Sequence, residues 1–405
     1  MTMAAKDFAQ NYVQLALAIE HHIPGYVDAY FGPSQWRDQS ANTGPRPVTE
    51  LAREAEGLLT AIDTDTEMDS QRRDYLARNV RAVQTSLRIL QGEQLALADE
   101  VEALYDIRPE WVDEGVFEEA HEALDRFLPP GDTLAERMTI RKKRTELPTR
   151  RLLELLCEIA AQFRQRTRAR FPLPMDESLE LQLVTDQPWG AYNWYLGNCS
   201  SRIDINTDLP LHITGLADLI AHEGYPGHHT ELSIKETRLM HEKGWIEHCV
   251  ALINAPSCVV SEGIATRALS MLLTDDELIR WYAEELFPRS GFGHLEAQHE
   301  HAIDKAREKL IGVGGNAAFL LHDHGANEDE VTAYIMQYAL STEEEARKHV
   351  SFIKSPLFRS YVFTYRYGRE MLDALFDAKD DRDHWFNRLI SEPVTPNQIR
   401  TWITG

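Results

Sequence analysis

His222-Glu223 and, past Gly224-Tyr225-Pro226-Gly227, His228-His229 place four side chains able to bind metal or move protons within eight residues. Imidazole nitrogens and carboxylate oxygens are the usual ligands of catalytic zinc. Such a site keeps three protein ligands and an open position for water. A glutamate next to the first ligand is placed to take a proton from that water. In the common zinc-peptidase pattern His-Glu-x-x-His the two histidines share one helix face, but here Pro226 stands where the second would be. In an unbroken helix His228 would be rotated away from His222, while His229 would return to its face roughly 10 Å further on. Proline removes a backbone donor and glycine permits unusual φ/ψ, so the helix is expected to kink or bulge here. A bulge of two residues would put His228 in the place of the missing histidine. His228 is therefore favoured over His229 as the second ligand, and His229 stays open both as the alternative ligand and, beside Glu223, as a candidate catalytic residue.

Other clusters could do chemistry. Tyr365 could donate to an oxyanion, and Arg366 or Arg369 could hold a carboxylate. Yet Phe358, Tyr361, Val362 and Tyr365 also fit the core stripe of a helix. His322-Asp323-His324-Gly325 ends an apolar run, where capping competes with a role for His324 near a metal. Glu118-x-x-His121 and Glu296-x-x-His299 match the Glu-x-x-His of di-iron bundles. Neither lies on an apolar face, and a chain with 16 histidines and 65 acidic residues produces such matches by chance. His21-His22 falls at a predicted helix end, where positive charge suits the helix dipole.

The octapeptide His222-Glu223-Gly224-Tyr225-Pro226-Gly227-His228-His229 resembles the H-E-x-x-P-G-H-H signature of a bacterial family grouped with the gluzincins, zinc metallopeptidases of the thermolysin-like clan. That family places Glu-Gly-x-Ala downstream, and this chain has Glu262-Gly263-Ile264-Ala265. It also carries Tyr-x-x-Gly near the C-terminus, to which Tyr365-Arg366-Tyr367-Gly368 is similar. The chain is shorter than typical members and has Pro356-Leu357-Phe358-Arg359 where they carry Pro-Gly-Gln-Ala. The resemblance implies one zinc ion on His222, His228 and Glu262, with Glu223 as the base and Tyr365 steadying the oxyanion. It further implies a hydrolase acting on an amide or peptide bond in a small peptide-like substrate. Two alternatives stand beside it: a catalytically inactive metal- or peptide-binding helical protein, and a metal-dependent amidase with a non-peptide substrate.

The surrounding pattern is mainly helical. Amphipathic stretches are predicted at about 5–22, 49–62, 68–92, 95–106, 113–127, 132–145 and 148–169, and again from 258 to the C-terminus. Between them, 179–184, 190–197 and 201–206 alternate or are rich in aromatics, which predicts three short strands in one small antiparallel sheet. With the resemblance, the expected fold is a zincin-like, gluzincin-type helical fold with that sheet beside the active-site helix. Residues 1–174 would form a helical cap or wall, and 175–405 the catalytic region.

Composition agrees with a globular chain: 43% hydrophobic and 26% charged over 405 residues. A net charge of −23 repels phosphate backbones and anionic membranes, so neither nucleic acid nor membrane is an expected partner. No apolar run approaches the roughly 20 residues of a membrane span. The N-terminal residues lack the apolar core of a signal peptide. The four scattered cysteines form no C-x-x-C pair. A reducing compartment, the cytoplasm, is the expectation.

Overall fold

The computed structural model describes residues 5–187 and 189–405. The helices fall close to their predicted bounds, among them Ala5–Glu20, Val48–Thr64, Ser70–Leu90, Glu114–Asp125 and Thr149–Arg170. Several begin on side-chain caps. Asp69 accepts from the amides of Gln71 and Arg72, and Thr133 forms a capping box with Glu136.

The strands are Val27–Tyr30 (β1), Ser178–Val184 (β2), Ala191–Gly197 (β3), Ser200–Asn206 (β4) and Val250–Leu252 (β5). β2, β3 and β4 are the three strands expected. Their sheet has the order β2-β4-β3, antiparallel between β3 and β4 but parallel between β2 and β4. The expectation of a wholly antiparallel sheet is corrected on that point. Asn198 and Cys199, both at positive φ, fold β3 tightly back onto β4. β2 skips its sequence neighbour and covers the other edge of β4, and this sets Glu177 just ahead of it.

A second sheet, β1 with β5, was not expected, because four and three residues are too short to show alternation. It ties the N-terminal region to the middle of the chain. The first helix stops at Glu20, whose carboxylate accepts from the amides of Gly25 and Val27 and so fixes the start of β1.

One hydrophobic core joins Phe8, Tyr12, Leu76 and Leu104 with Val250, Val259 and Phe363, so packing runs across the boundary placed near 174. Two further cores lie under the sheet, around Phe163, Ile203 and Ile220, and near the C-terminus, around Leu372, Phe386 and Ile399. Among the described residues no helix is long and apolar enough to cross a membrane.

Candidate metal centre

The helix Leu216–Glu223 carries His222 and Glu223 on its last turn, and a new helix, His228–Lys235, starts after four intervening residues. The link between them is the bulge the sequence called for. The Gly227 amide donates to the Ala221 carbonyl, and the Thr230 amide to that of Gly224. Each bond spans six residues where an α-helix spans four, so two residues are looped out. Gly227 is required by contact: a Cβ there would lie 1.8 Å from the His222 carbonyl oxygen and 2.4 Å from that of Ala221.

This break brings His222 and His228 together, with ring centroids 4.9 Å apart. The helix Pro256–Leu272, opened by a proline in its first turn, supplies Glu262. His222 Nε2 stands 3.5 Å from Glu262 Oε2, and His228 Nε2 stands 3.5 Å from Glu262 Oε1. One donor atom from each of the three residues lies within 4.8 Å of the others.

Neighbouring groups orient these donors. Ser261 donates to Glu231 Oε2 at 2.6 Å, so its oxygen is left to accept from His228 Nδ1–H at 3.1 Å. That chain fixes the imidazole and aims Nε2 at Glu262. Tyr361 donates to Glu262 Oε1 at 2.6 Å. Glu262 is 3% exposed, yet its Oε2 has no hydrogen-bond partner. A buried carboxylate oxygen left without a donor beside two imidazole nitrogens is the pattern a bound cation satisfies. The donor set, two nitrogens and a carboxylate, fits zinc.

Charges in the site are strongly coupled. Burial, opposed by Glu262, holds His222 down at about 4. Burial also works against charge on His228, but Glu262, Glu223 and Glu231 raise it to about 10. Glu262 stays below its usual range, since His228, His222 and the Tyr361 hydroxyl outweigh its burial. Burial raises Glu223 to about 7, with His228 opposing and Glu262, Asp28 and Asp218 adding to the rise.

Two cavities meet at this centre. The smaller, about 150 Å³, is lined by the three donors with Asp28, Asn193 and His248. The larger, about 770 Å³, is lined by apolar residues and by Lys348, Arg307 and Lys142, the last paired with Glu345 in the same wall. Glu223, Tyr365 and Ala191 belong to both walls. A surface groove of about 610 Å³ around Arg78 and Arg81 shares no residue with either.

Tyr365 is therefore beside the centre, its ring 6.5 Å from that of His222. His229 is not. It is fully buried on the far side of its helix, with Nε2 3.0 Å from Glu177 Oε2 and Nδ1 2.8 Å from Ser201 Oγ. The bulge decides this, since consecutive residues on a helix point about 100° apart and His228 takes the cavity side. A catalytic role for His229 is thus corrected to a positioning one. Glu177 Oε2 also accepts from the Tyr225 hydroxyl, and Oε1 from Arg164 and Arg168.

The remaining candidates serve structure. Arg366 pairs with Glu370, and Arg369 with Glu308. The His324 ring lies 5.4 Å from Trp111, and His322 bonds the Ile353 carbonyl. His121 bonds the Tyr338 carbonyl, and His299 pairs with Glu296 at the surface. Sequence reasoning missed Ser261, Glu231, Tyr361, Asp28 and Glu177. Only Ser261 and Glu231 had a signal, adjacency to Glu262 and i+3 spacing from His228.

No protein-family model matches the chain, and no curated protein matches it. Solved structures that share its fold include the following two. One is a candidate lipoprotein from Colwellia psychrerythraea, 13% identical with a TM-score of 0.56 over 91% of this chain and 72% of that one. The other is a candidate lipoprotein of unknown function from Shewanella oneidensis, 12% identical with a TM-score of 0.50 over 99% of this chain and 84% of that one. At these identities the likeness is one of fold.

Proposed function

We propose that the protein is a zinc-dependent hydrolase of gluzincin type, cleaving an amide or peptide bond in a short peptide-like substrate. The observation that carries this reading is the buried Glu262 carboxylate, whose unpartnered Oε2 lies 3.5 Å from His222 Nε2 while its Oε1 lies 3.5 Å from His228 Nε2. His222, His228 and Glu262 would hold the ion, which when bound supplies a water of pKa about 7 and polarises a carbonyl.

The chain's own groups account for the rest. Glu223 stands in the wall between the two cavities, where a scissile bond lying across them would pass. Raised to about 7, its carboxyl can take the proton of the attacking water and return it to the leaving amine. The C–N bond breaks, the acyl carbon gains the hydroxyl, and the amine leaves with the proton. Burial, reinforced by Glu262, keeps the Tyr365 phenol well above its usual range and hence protonated, so it can donate to the developing oxyanion. All four cysteines are unpaired, which supports the cytoplasm as the proposed compartment.

Glu223→Gln tests the mechanism. The variant should bind one zinc ion as the wild type does, with hydrolysis of a peptide library lost. Hydrolysis at the wild-type rate by a zinc-loaded variant would overturn it.

A further inference from the structure

Asp28 lines the smaller cavity, yet it comes from β1, far from the ligand residues in sequence. Its one side-chain hydrogen-bond donor among the described residues is the neutral hydroxyl of Tyr192, on β3. Lys235, the cavity's cation, is taken by Glu231 at 2.6 Å. Asp28 pairs with no lysine or arginine among the described residues. Burial raises its pKa, with Tyr192 and His228 opposing, so its charge is costly in this setting.

Two more wall atoms lack partners. His248 is 8% exposed and its Nε2 is unbonded, as is Asn193 Oδ1, although Asn193 Nδ2 donates to the Glu223 carbonyl. The small cavity thus presents a carboxylate with no cation partner, whereas the larger one holds Lys348, which has no ion pair among the described residues, beside Lys142, paired with Glu345, and Arg307, paired with Asp304. A zwitterionic peptide lying across Glu223 would place its amino end in the first and its carboxylate end in the second. β1, hooked to β3 through Asp28 and Tyr192, closes the small side.

We propose that Asp28 receives the free α-ammonium group of a short peptide, so that the enzyme trims residues from the N-terminus and does not cut within chains. This rests on the hydrolase reading above. The bond broken is the peptide C–N nearest the bound amino end, and water adds across it as an acid and an amine.

The test is calorimetry on zinc-loaded Glu223→Gln protein, with Leu-Gly-Gly, N-acetyl-Leu-Gly-Gly and N-acetyl-Lys-Gly-Gly. The free amine should bind about thirtyfold more tightly than its acetylated form, the scale of one buried charge pair. Adding Asp28→Asn, which keeps an acceptor for Tyr192, should abolish that preference; adding Tyr192→Phe should keep it. Equal binding of the first two peptides, a preference surviving Asp28→Asn, binding of none, or selection of the acetylated lysine peptide would each overturn the proposal. If the preference is found but the wild type cleaves no peptide, the hydrolase reading fails while Asp28 keeps its assignment.

Discussion

Gly263 and Gly368 meet backbone to backbone where the helices Pro256–Leu272 and Val362–Ala378 pack together. A Cβ on Gly368 would lie 2.4 Å from the Val259 carbonyl oxygen and 3.0 Å from Gly263 Cα. A Cβ on Gly263 would lie 2.7 Å from the Gly368 carbonyl oxygen. This contact is why Glu262 is followed by glycine, and why a glycine comes three residues after Tyr365. With any larger residue the helices would separate, and Tyr361 and Tyr365 would draw away from Glu262.

Gly368→Ala should therefore cost about 1–3 kcal/mol, the range for overpacking a tight contact. Zinc affinity should weaken with it. Thermal unfolding and zinc titration on the same sample check both, and an unchanged zinc affinity would show that the helix contact does not position the site.

The chain His228–Ser261–Glu231 makes a different prediction. Ser261→Ala removes the acceptor for His228 Nδ1–H while leaving all three donors in place. Zinc affinity should fall about 10- to 100-fold, as is usual when a partner of a ligating histidine is lost. Competition with a chromophoric chelator measures it, and the unfolding temperature should move little.

Tyr361 and Tyr365 should separate cleanly. Tyr361→Phe deletes the hydrogen bond to Glu262 and should weaken zinc binding. Tyr365→Phe should leave zinc affinity intact and lower kcat about 10²- to 10³-fold, with KM little changed. The reverse assignment of effects would exchange the two roles.

Glu177 carries the pH dependence. Against its burial, His229, Tyr225 and Arg164 lower its pKa from the ordinary 4.5 to about 2. Because the folded value lies below the unfolded one, the ionised carboxylate stabilises the fold. That contribution is complete above about pH 5 and is lost as pH falls through the folded value. Glu177→Gln should cost about 2–3 kcal/mol at neutral pH, less than a fully buried pair because Arg164 and Arg168 are partly exposed. Denaturant melts between pH 3 and pH 7 should show a shallower slope for the variant.

Local features could be read along the chain. Helix and strand periodicity is set by neighbours along the chain, so the helices and the strands β2, β3 and β4 were readable in place. Pro226 and Gly227 predicted a kink or bulge between the histidines, and a bulge of two residues was the form that would return His228 to the His222 face. What lay beyond reach was whatever depends on residues distant in sequence meeting in space. β1 and β5 exist only because they pair with each other across more than half the chain. Asp28 reaches the cavity by that pairing, and Tyr361 leaves the apolar stripe for Glu262 because two glycines let the helices touch. With the bulge in place, Glu177 and Ser201 hold the His229 imidazole behind the helix and leave that of His228 facing the cavity. Burying His229 unpartnered would be costly, and only the packed structure supplies its partners.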